Sequence, residues 1–486
     1  MYIQGCEMSS LKTGLSVVAA AVVGTALIAP TFVGMTLESK VKERVELINN
    51  SAGYNAEIVE YKNQWFSSSA KIQLTLDLTA GNAATPDAEN IELDPITAVI
   101  DLDAAHGPVI FSDGLQLDWV ALTAKVDGKS VSSHITTEAE QPLYSFNLNA
   151  SLLGNFDFND KMAQFDFDCS SCETPLQVAV KEYAGAGSYD DQNFEYHGMG
   201  GDSTFDSPSG ELSFSGVAFD LTAQTTIEKL VSMNLYDSEG SITMKNLTFN
   251  GIEGKPPVVL NELAVITKTD LNDDTGLADM IVGYSLEEFK DGTNDGSDFD
   301  LEMTFKQIDS KFFVAYETFL KESQTAIEQG TDAKAAAETF VDVAVLDLLK
   351  AEPKMDITKL NGTLPQGSFS GSMASQLIGI EAIPDQMDDR KFWLSHTVAD
   401  AELEGDKSLF EHWAALTVAS QIRANPQAKD MPEEQIVMIA QQQSATVLLS
   451  LVQQGLLVAE ENKYRSTVSL KDLALTVNGK AMPLPF

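Results

Sequence analysis

Basic charge is scarce in this chain: 31 Lys and Arg stand against 72 Asp and Glu, giving a formal net charge of −41 and a pI near 4.2. A duplex phosphate backbone is held by clustered Lys and Arg, so nucleic-acid binding is excluded. Such acidity keeps a protein soluble without dictating its fold, and halophilic or marine adaptation is a sufficient explanation. Cysteine is nearly absent, with three residues in the whole chain. A four-thiolate zinc site therefore cannot be built. The sequence also lacks any G-x-S-x-G, which removes the strand-to-helix nucleophile elbow of the α/β-hydrolases.

Near the N-terminus, Thr13 to Leu37 carries no charge over 25 residues. About 20 apolar residues cross a bilayer core, whereas a cleaved signal needs an apolar region of only about 7–15. Gly24, Pro30 and Gly34 within it are tolerated in membrane helices. The best small-residue cleavage site, Gly24-Thr25-Ala26, would leave Leu27, Ile28, Phe32 and Val33 at an exposed new terminus. An uncleaved anchor is the expectation. Orientation pulls two ways. Lys40, Lys42 and Arg44 follow the span and only Lys12 precedes it, which by charge counting leaves the body inside. A terminal hydrophobic segment with a short leader is the export layout, and export is the expected outcome. A start at Met8 would shorten that leader to Ser9-Ser10-Leu11-Lys12.

Beyond the anchor, Val41, Val45 and Ile48 share one helical face, as a stalk or packing helix requires. From about Asn55 to Ile308 the apolar residues alternate with polar ones between Gly, Asn and Asp, the pattern of antiparallel strands with one solvated face. Asp298 to Phe305 alternates strictly. Phe156-Asp157-Phe158 and Phe165-Asp166-Phe167 read as a hairpin around Asn159-Asp160. The stretch from Gly210 has an echo at Gly240 and another near Val468, consistent with repeated strand-and-turn units or with generic amphipathic strands.

After Ile308 the period becomes helical. Phe312, Tyr316, Phe319 and Leu320 share a face before Gly330; Ala337, Val341, Ala344 and Leu348 do so before Pro353. A strand-like region spans Asp356 to Ile380. One helix from about Lys407 to Ile422 is expected to bury Phe410, Trp413 and Leu416, and another runs from Pro432 to Gly455. Strands at Tyr464–Leu470 and Leu473–Val477, with Asn478-Gly479 as a turn, close the chain. The expected fold is α+β: an N-terminal transmembrane helix, a long, largely antiparallel β-sheet body, C-terminal helical segments packing on the sheet, and a final β-hairpin. The expected divisions are an anchor at 1–37, a β-rich body at 38–308, and a helical and strand region at 309–486.

Four places carry candidate chemistry. His106-Gly107-Pro108 at a strand end offers a general base, but a nucleophile must be brought to it by the fold; a turn is the simpler reading. Cys169-Ser-Ser-Cys172 follows a strand and lacks the helix N-terminus of a thioredoxin-like site, so a local disulfide clipping a turn is expected over redox work or metal binding. Cys6 falls across the membrane, leaving an even count outside. Asp291, Asp295 and Glu302 occupy positions 1, 5 and 12 of a calcium-loop template, but Thr293 at position 3 and the strand-like continuation favour a solvated hairpin tip. His197-Gly-Met-Gly-Gly lacks the setting of a phosphate loop and reads as linker.

Several motifs, in order, span nearly the whole chain: Tyr61 with Trp65-Phe66-Ser67-Ser68, His106-Gly107-Pro108, Leu348-Leu349 with Pro353, Ile357 and Gly367, Gln454-Gly455-Leu456-Leu457, Tyr464, and Asn478-Gly479-Lys480 with Pro483-Leu484. In these the chain resembles the YdgA/YihF-like family of membrane-anchored bacterial proteins of unknown function; Asp168 to Gly210 departs from the pattern. The resemblance implies a Gram-negative inner-membrane anchor with the body in the periplasm, and supplies no activity, substrate or catalytic residue. Trp65-Phe66 is expected to be a buried aromatic anchor. No cofactor is expected. The expected partners are the inner membrane through the N-terminal helix, with a lipid or an envelope protein on an apolar groove of the sheet, and homo-oligomers are compatible with this. The alternative is an envelope enzyme using His106 or the Cys169/Cys172 pair.

Overall fold

The computed structural model describes residues 41–484 except 43–44, 47, 50–53, 65, 77–95, 108–109, 111–117, 132–134, 138–140, 171–174, 231–232, 252–255, 329–333, 385 and 426–430. The expected membrane segment, Trp65, Pro108 and Cys172 lie outside the described residues. Two units are distinguished: residues 1–257 with 317–333, and residues 258–316 with 334–486. The division falls inside the stretch expected as one β-rich body, because the last three of its strands group with the C-terminal region.

In the first unit, alternation becomes an antiparallel sheet that forks. One arm runs through β1 (Tyr54–Asn63), β2 (Ser67–Leu76), β3 (Ile96–His106), β4 (Asp118–Val126), β6 (Tyr144–Ser151), β7 (Phe156–Met162), β10 (Tyr183–Asp190) and β11 (Asn193–Gly200). The other runs through β5 (Ile135–Thr137), β8 (Phe165–Cys169), β9 (Leu176–Val180) and β12 (Ser203–Ser207). Both arms end on β13 (Gly210–Gln224): β12 pairs with Gly210–Phe214, and β11 with Val217–Gln224. Gly216, at φ 63, sits at the break, where a residue without Cβ relieves the left-handed backbone. The opposite edge of β13 is covered by β14 (Asp237–Asn250), so the echo seen in sequence is a pair of adjacent strands.

The expected hairpin around Asn159-Asp160 does not form. Both residues lie inside β7, and β7 and β8 belong to different arms. His197, Gly198 and Gly200 are likewise strand, not linker, and only Gly201 lies beyond it. Ile72, Leu74, Ile100, Leu102, Leu122 and Val126 are sealed in one core with Ile135 and Phe165 from the other arm. Val41, Val45 and Ile48 complete it, so the helical segment they lie on packs against the sheet. At about 1.5–3 kcal/mol per buried large aliphatic side chain, this core is the main source of the unit's stability. Phe66 is 71% exposed, contrary to the buried role expected of it: it sits in a bend just before β2 and so escapes the core.

The second unit is an antiparallel meander of β15 (Val258–Asn272), β16 (Leu277–Lys290), β17 (Gly296–Asp309), β18 (Lys354–Leu364), β19 (Gly367–Leu377) and β20 (Thr397–Asp406). It continues through β22 (Lys463–Lys471), β23 (Ala474–Val477) and β24 (Lys480–Met482), with β21 (Val458–Ala459) also on β22. Asp472-Leu473 and Asn478-Gly479 make the closing two-residue turns with all four φ positive, the handedness that hairpins favour. Leu473, expected in a strand, is therefore a turn residue.

Within the helix pair before Pro353, Phe340–Val345 adopts a π-turn between Lys334–Thr339 and Leu346–Lys350. The wider turn rotates the following face, so Leu349 is buried where the 3.6-residue period points to Leu348. Lys407–Ala424 buries Leu409, Phe410, Val418 and Ala419, leaving Leu416 exposed. It packs through Val418 and Ala419 on Ile436 and Ala440 of Glu433–Gln454. Among the described residues this last helix is long and apolar enough to cross a membrane, but its Ile436, Ala440, Ser444 and Leu448 form a buried stripe.

Candidate functional site

The second unit's sheet sorts its side chains by face. Cross-strand partners Tyr284, Leu301 and Leu360 continue a row that Val282, Met303, Ile357, Met373, Ala401 and Val468 repeat one step along. The other face carries Asp300, Glu302, Thr304 and Lys306, with ion pairs such as Lys359–Asp300 at 2.9 Å and Arg465–Glu402 at 2.7 Å. Period-2 alternation produces one apolar and one charged face, as it must. The apolar face is only partly covered. Leu286, Leu301, Met303, Phe305, Ile357, Leu360, Met373 and Leu403 are all half-buried, and Tyr284, Met355 and Val468 are exposed. Helix Lys407–Ala424 caps one end, where Phe410 and Trp413 meet Tyr464 and Phe369 with ring centroids 5.4–5.6 Å apart. Leu346–Lys350 and Arg390–His396 reach β17 and β20. Glu433–Gln454 packs on the capping helix and leaves Val437, Met438, Val447 and Leu449 exposed. The comparable face of the first unit is sealed.

His106 does find a serine. Its Nε2 lies 2.8 Å from Oγ of Ser68, which is 5% exposed and donates its proton to Asn63 Oδ1 at 3.0 Å. In this arrangement the imidazole N–H points at the serine oxygen, the reverse of general-base activation. Burial also holds His106 below the usual imidazole range. The nearby backbone donors are spent: His106 N–H on Phe66 O and Gly107 N–H on Trp119 O, both at 2.8 Å. No oxyanion hole is formed by these donors. The contact ties the β1–β2 connection to the end of β3.

A buried carboxyl that the sequence did not single out lies in β7. Asp160, 4% exposed, accepts from Tyr144 Oη at 3.1 Å and Tyr196 Oη at 3.0 Å, and the Tyr183 hydroxyl pairs with that of Tyr196. Burial pushes the carboxyl up, and with the adjacent Asp160 it pushes the Tyr144 and Tyr183 hydroxyls up too. Gly185 makes the room, since a Cβ there would collide with Tyr196 Oη and Asp160 Oδ1. The cluster pins β6, β7, β10 and β11 together. Its only sequence signal was an acid on the apolar face of an alternating strand.

Cys169 ends β8, buried and disulfide-bonded, while Cys172 lies outside the described residues. The three calcium-template acids do not converge. Asp295 accepts from the backbone N–H of Asp291 and Gly292, and Asp291 from those of Thr293 and Asn294, at 2.6–3.2 Å. Glu302 lies in β17 and accepts from Thr358 Oγ1. These bonds hold Asp291 below the usual carboxylate range. Among the described residues no group of three His, Cys, Asp or Glu is placed to hold a metal. His197 Nδ1 pairs with Asp220 Oδ1 at 2.6 Å on the outer face of the first unit.

A family model described as "Bacterial protein of unknown function (DUF945)" matches residues 11–485, and the chain belongs to that family. No curated protein and no solved structure matches it.

Proposed function

We propose that this member of a bacterial family is a non-enzymatic, YdgA/YihF-like envelope protein, held in the inner membrane by Thr13–Leu37 with its body in the periplasm. The half-covered apolar face of its second unit takes the acyl chain of a membrane lipid. The observation that carries the reading is the pair of neighbouring apolar rows, Tyr284 to Leu360 and Val282 to Val468, left partly covered while the first unit seals its own. Exposed apolar surface of this extent marks an interaction site. Its middle offers no charge and no free amide, which suits an alkyl chain better than a polar protein surface. The 25-residue uncharged stretch would hold the body beside a bilayer, where acyl chains are the most abundant apolar partner. Each buried methylene contributes ~0.8 kcal/mol, so about ten release roughly 8 kcal/mol before association and ordering terms are subtracted.

The experiment is native mass spectrometry and lipid extraction of the full chain purified from membranes, beside Met303→Glu. Lipid on the parent and at least tenfold less on the variant, at unchanged thermal midpoint, supports the reading. Absence of lipid, with a protein co-purifying through the same face, replaces it by a protein partner. Retention in membranes after carbonate washing, and reporter fusions after Asn49 active only outside the cytoplasm, test the anchor. Soluble release or cytoplasmic activity overturns it.

A further inference from the structure

The face of the first unit opposite its core holds a groove of about 670 Å³. Side chains from β2, β3, β4, β6 and β7 meet there in register: Ser69 opposite Asp103, Asp103 opposite Thr123, Thr123 opposite Asn147, and Asn147 opposite Asn159. Three of them form a directed chain. Thr123 Oγ1 donates to Asn147 Oδ1 at 3.0 Å, and Asn147 Nδ2 donates to Asn159 Oδ1 at 3.1 Å. The chain leaves hydroxyl lone pairs at one end and the Asn159 N–H donors at the other. Asn149, exposed beside it, has no side-chain partner among the described residues. Ala105 and Ala121, cross-strand neighbours, form a small-residue floor.

Two features select a ligand class. In a chain with 72 acidic side chains, the polar part of this lining is amide and hydroxyl apart from Lys62 and Asp103, over a floor of alanines and Leu122. It is neither the apolar wall an acyl chain needs nor the cationic one a phosphate needs. Neutral groups that both donate and accept match a ligand whose hydroxyls do the same. The second feature is Trp119. Trp119 stands at the bulge near the start of β4, two residues before the groove residue Ala121, and is 49% exposed. Its Nε1–H donates to Leu152 O at 3.2 Å, which restrains the ring. A restrained, half-exposed indole two residues along the strand from a groove residue is within reach of a sugar that extends out of the groove, and the C–H face of a pyranose packs on such a ring.

We propose that this groove binds a short run of neutral sugars, one ring stacked on Trp119 and its hydroxyls paired to Asn147, Asn149 and Asn159. Amino-sugar polymers and plain glucans share this chemistry. The test is saturation-transfer NMR and calorimetry on the full chain in a detergent without a sugar headgroup, with chitotetraose and maltotetraose as probes, each at roughly 5 mM. Transfer to at least one probe is expected. Transfer confined to chitotetraose assigns the amino-sugar source, and transfer confined to maltotetraose the glucan source. Trp119→Ala should weaken binding about tenfold and Trp119→Phe much less. Asn149→Ala, which breaks no internal bond, should weaken it several-fold without moving the thermal midpoint. No transfer to either probe, or parental affinity in both Trp119→Ala and Asn149→Ala, overturns the proposal.

Discussion

Asn478 occupies the first position of the β23–β24 turn at φ 51, a backbone conformation that asparagine tolerates better than most residues. Its Oδ1 accepts from the Thr467 backbone N–H at 2.8 Å, and its Nδ2 donates to Gly455 O, also at 2.8 Å. Gly455 is the left-handed terminator of helix Glu433–Gln454, so one side chain clips a helix end, a turn and β22 together. Replacement by Gly keeps the backbone free of strain and removes these two bonds to backbone groups, which costs about 2 kcal/mol at about 1 kcal/mol each; the longer bond from Thr467 Oγ1 to Oδ1, at 3.3 Å, is left out of this sum. Replacement by Ala adds a left-handed penalty of about 1 kcal/mol. Asn478→Asp keeps one acceptor but sets a carboxylate oxygen against the Gly455 carbonyl, and should be worse than Gly. Hydrogen exchange read by mass spectrometry over residues 463–484 tests the series. At about 1.4 kcal/mol per tenfold, exchange should accelerate about 30-fold in the Gly variant and about 140-fold in the Ala variant. Parental exchange in the Gly variant would refute the bonds' contribution. Equal exchange in Gly and Ala would refute the strain.

Asp160 makes the first unit's stability pH-dependent. Its folded-state pKa is raised by burial, so its contribution is fully present below the ordinary carboxylate value near 3.9 and is withdrawn as pH rises through the folded value. Asp160→Asn, which can keep both tyrosine contacts, should match or exceed the parent at pH 7.5 and lose that slope; parallel urea midpoints across pH would contradict this. For Cys169 we expect a bond to Cys172 closing a four-residue loop, worth about 2 kcal/mol in the chain-entropy picture. Thiol labelling under denaturing, non-reducing conditions should leave both unmodified, whereas labelled thiols with stoichiometric zinc, or a bond to Cys6, would rule it out.

The alternating strands were legible because burial of one sheet face writes itself into every second residue, as at Asp298–Phe305. Where a second requirement competed, the pattern misled. Asn159-Asp160 carries turn-forming residues, but the fold uses one outward in an amide chain and the other inward against tyrosines. The glycines around His197 read as linker because glycine weakens strands, yet Gly198 is there to make room for the Tyr183 ring. β20 was missed since Thr397–Asp406 mixes alanine with acids and shows little apolar contrast. The Ser68–His106 contact joins positions 38 residues apart, and only strand register brings them together. Nothing local announced the groove either, because its asparagines come from separate strands.

The fork at β13 has a consequence for synthesis. A chain emerging from the ribosome N-terminus first presents every strand of both arms, down to β11 and β12, before any residue of β13 has emerged. Until Gln224 has emerged, each arm ends in a strand whose N–H and C=O groups face solvent, the geometry that recruits strands from other chains. One fifteen-residue segment then closes both openings at once, and β14 shields its far edge. A stalled chain that has emerged only as far as Ser207 should therefore expose two adhesive edges, and one that has emerged past Asn250 should expose neither.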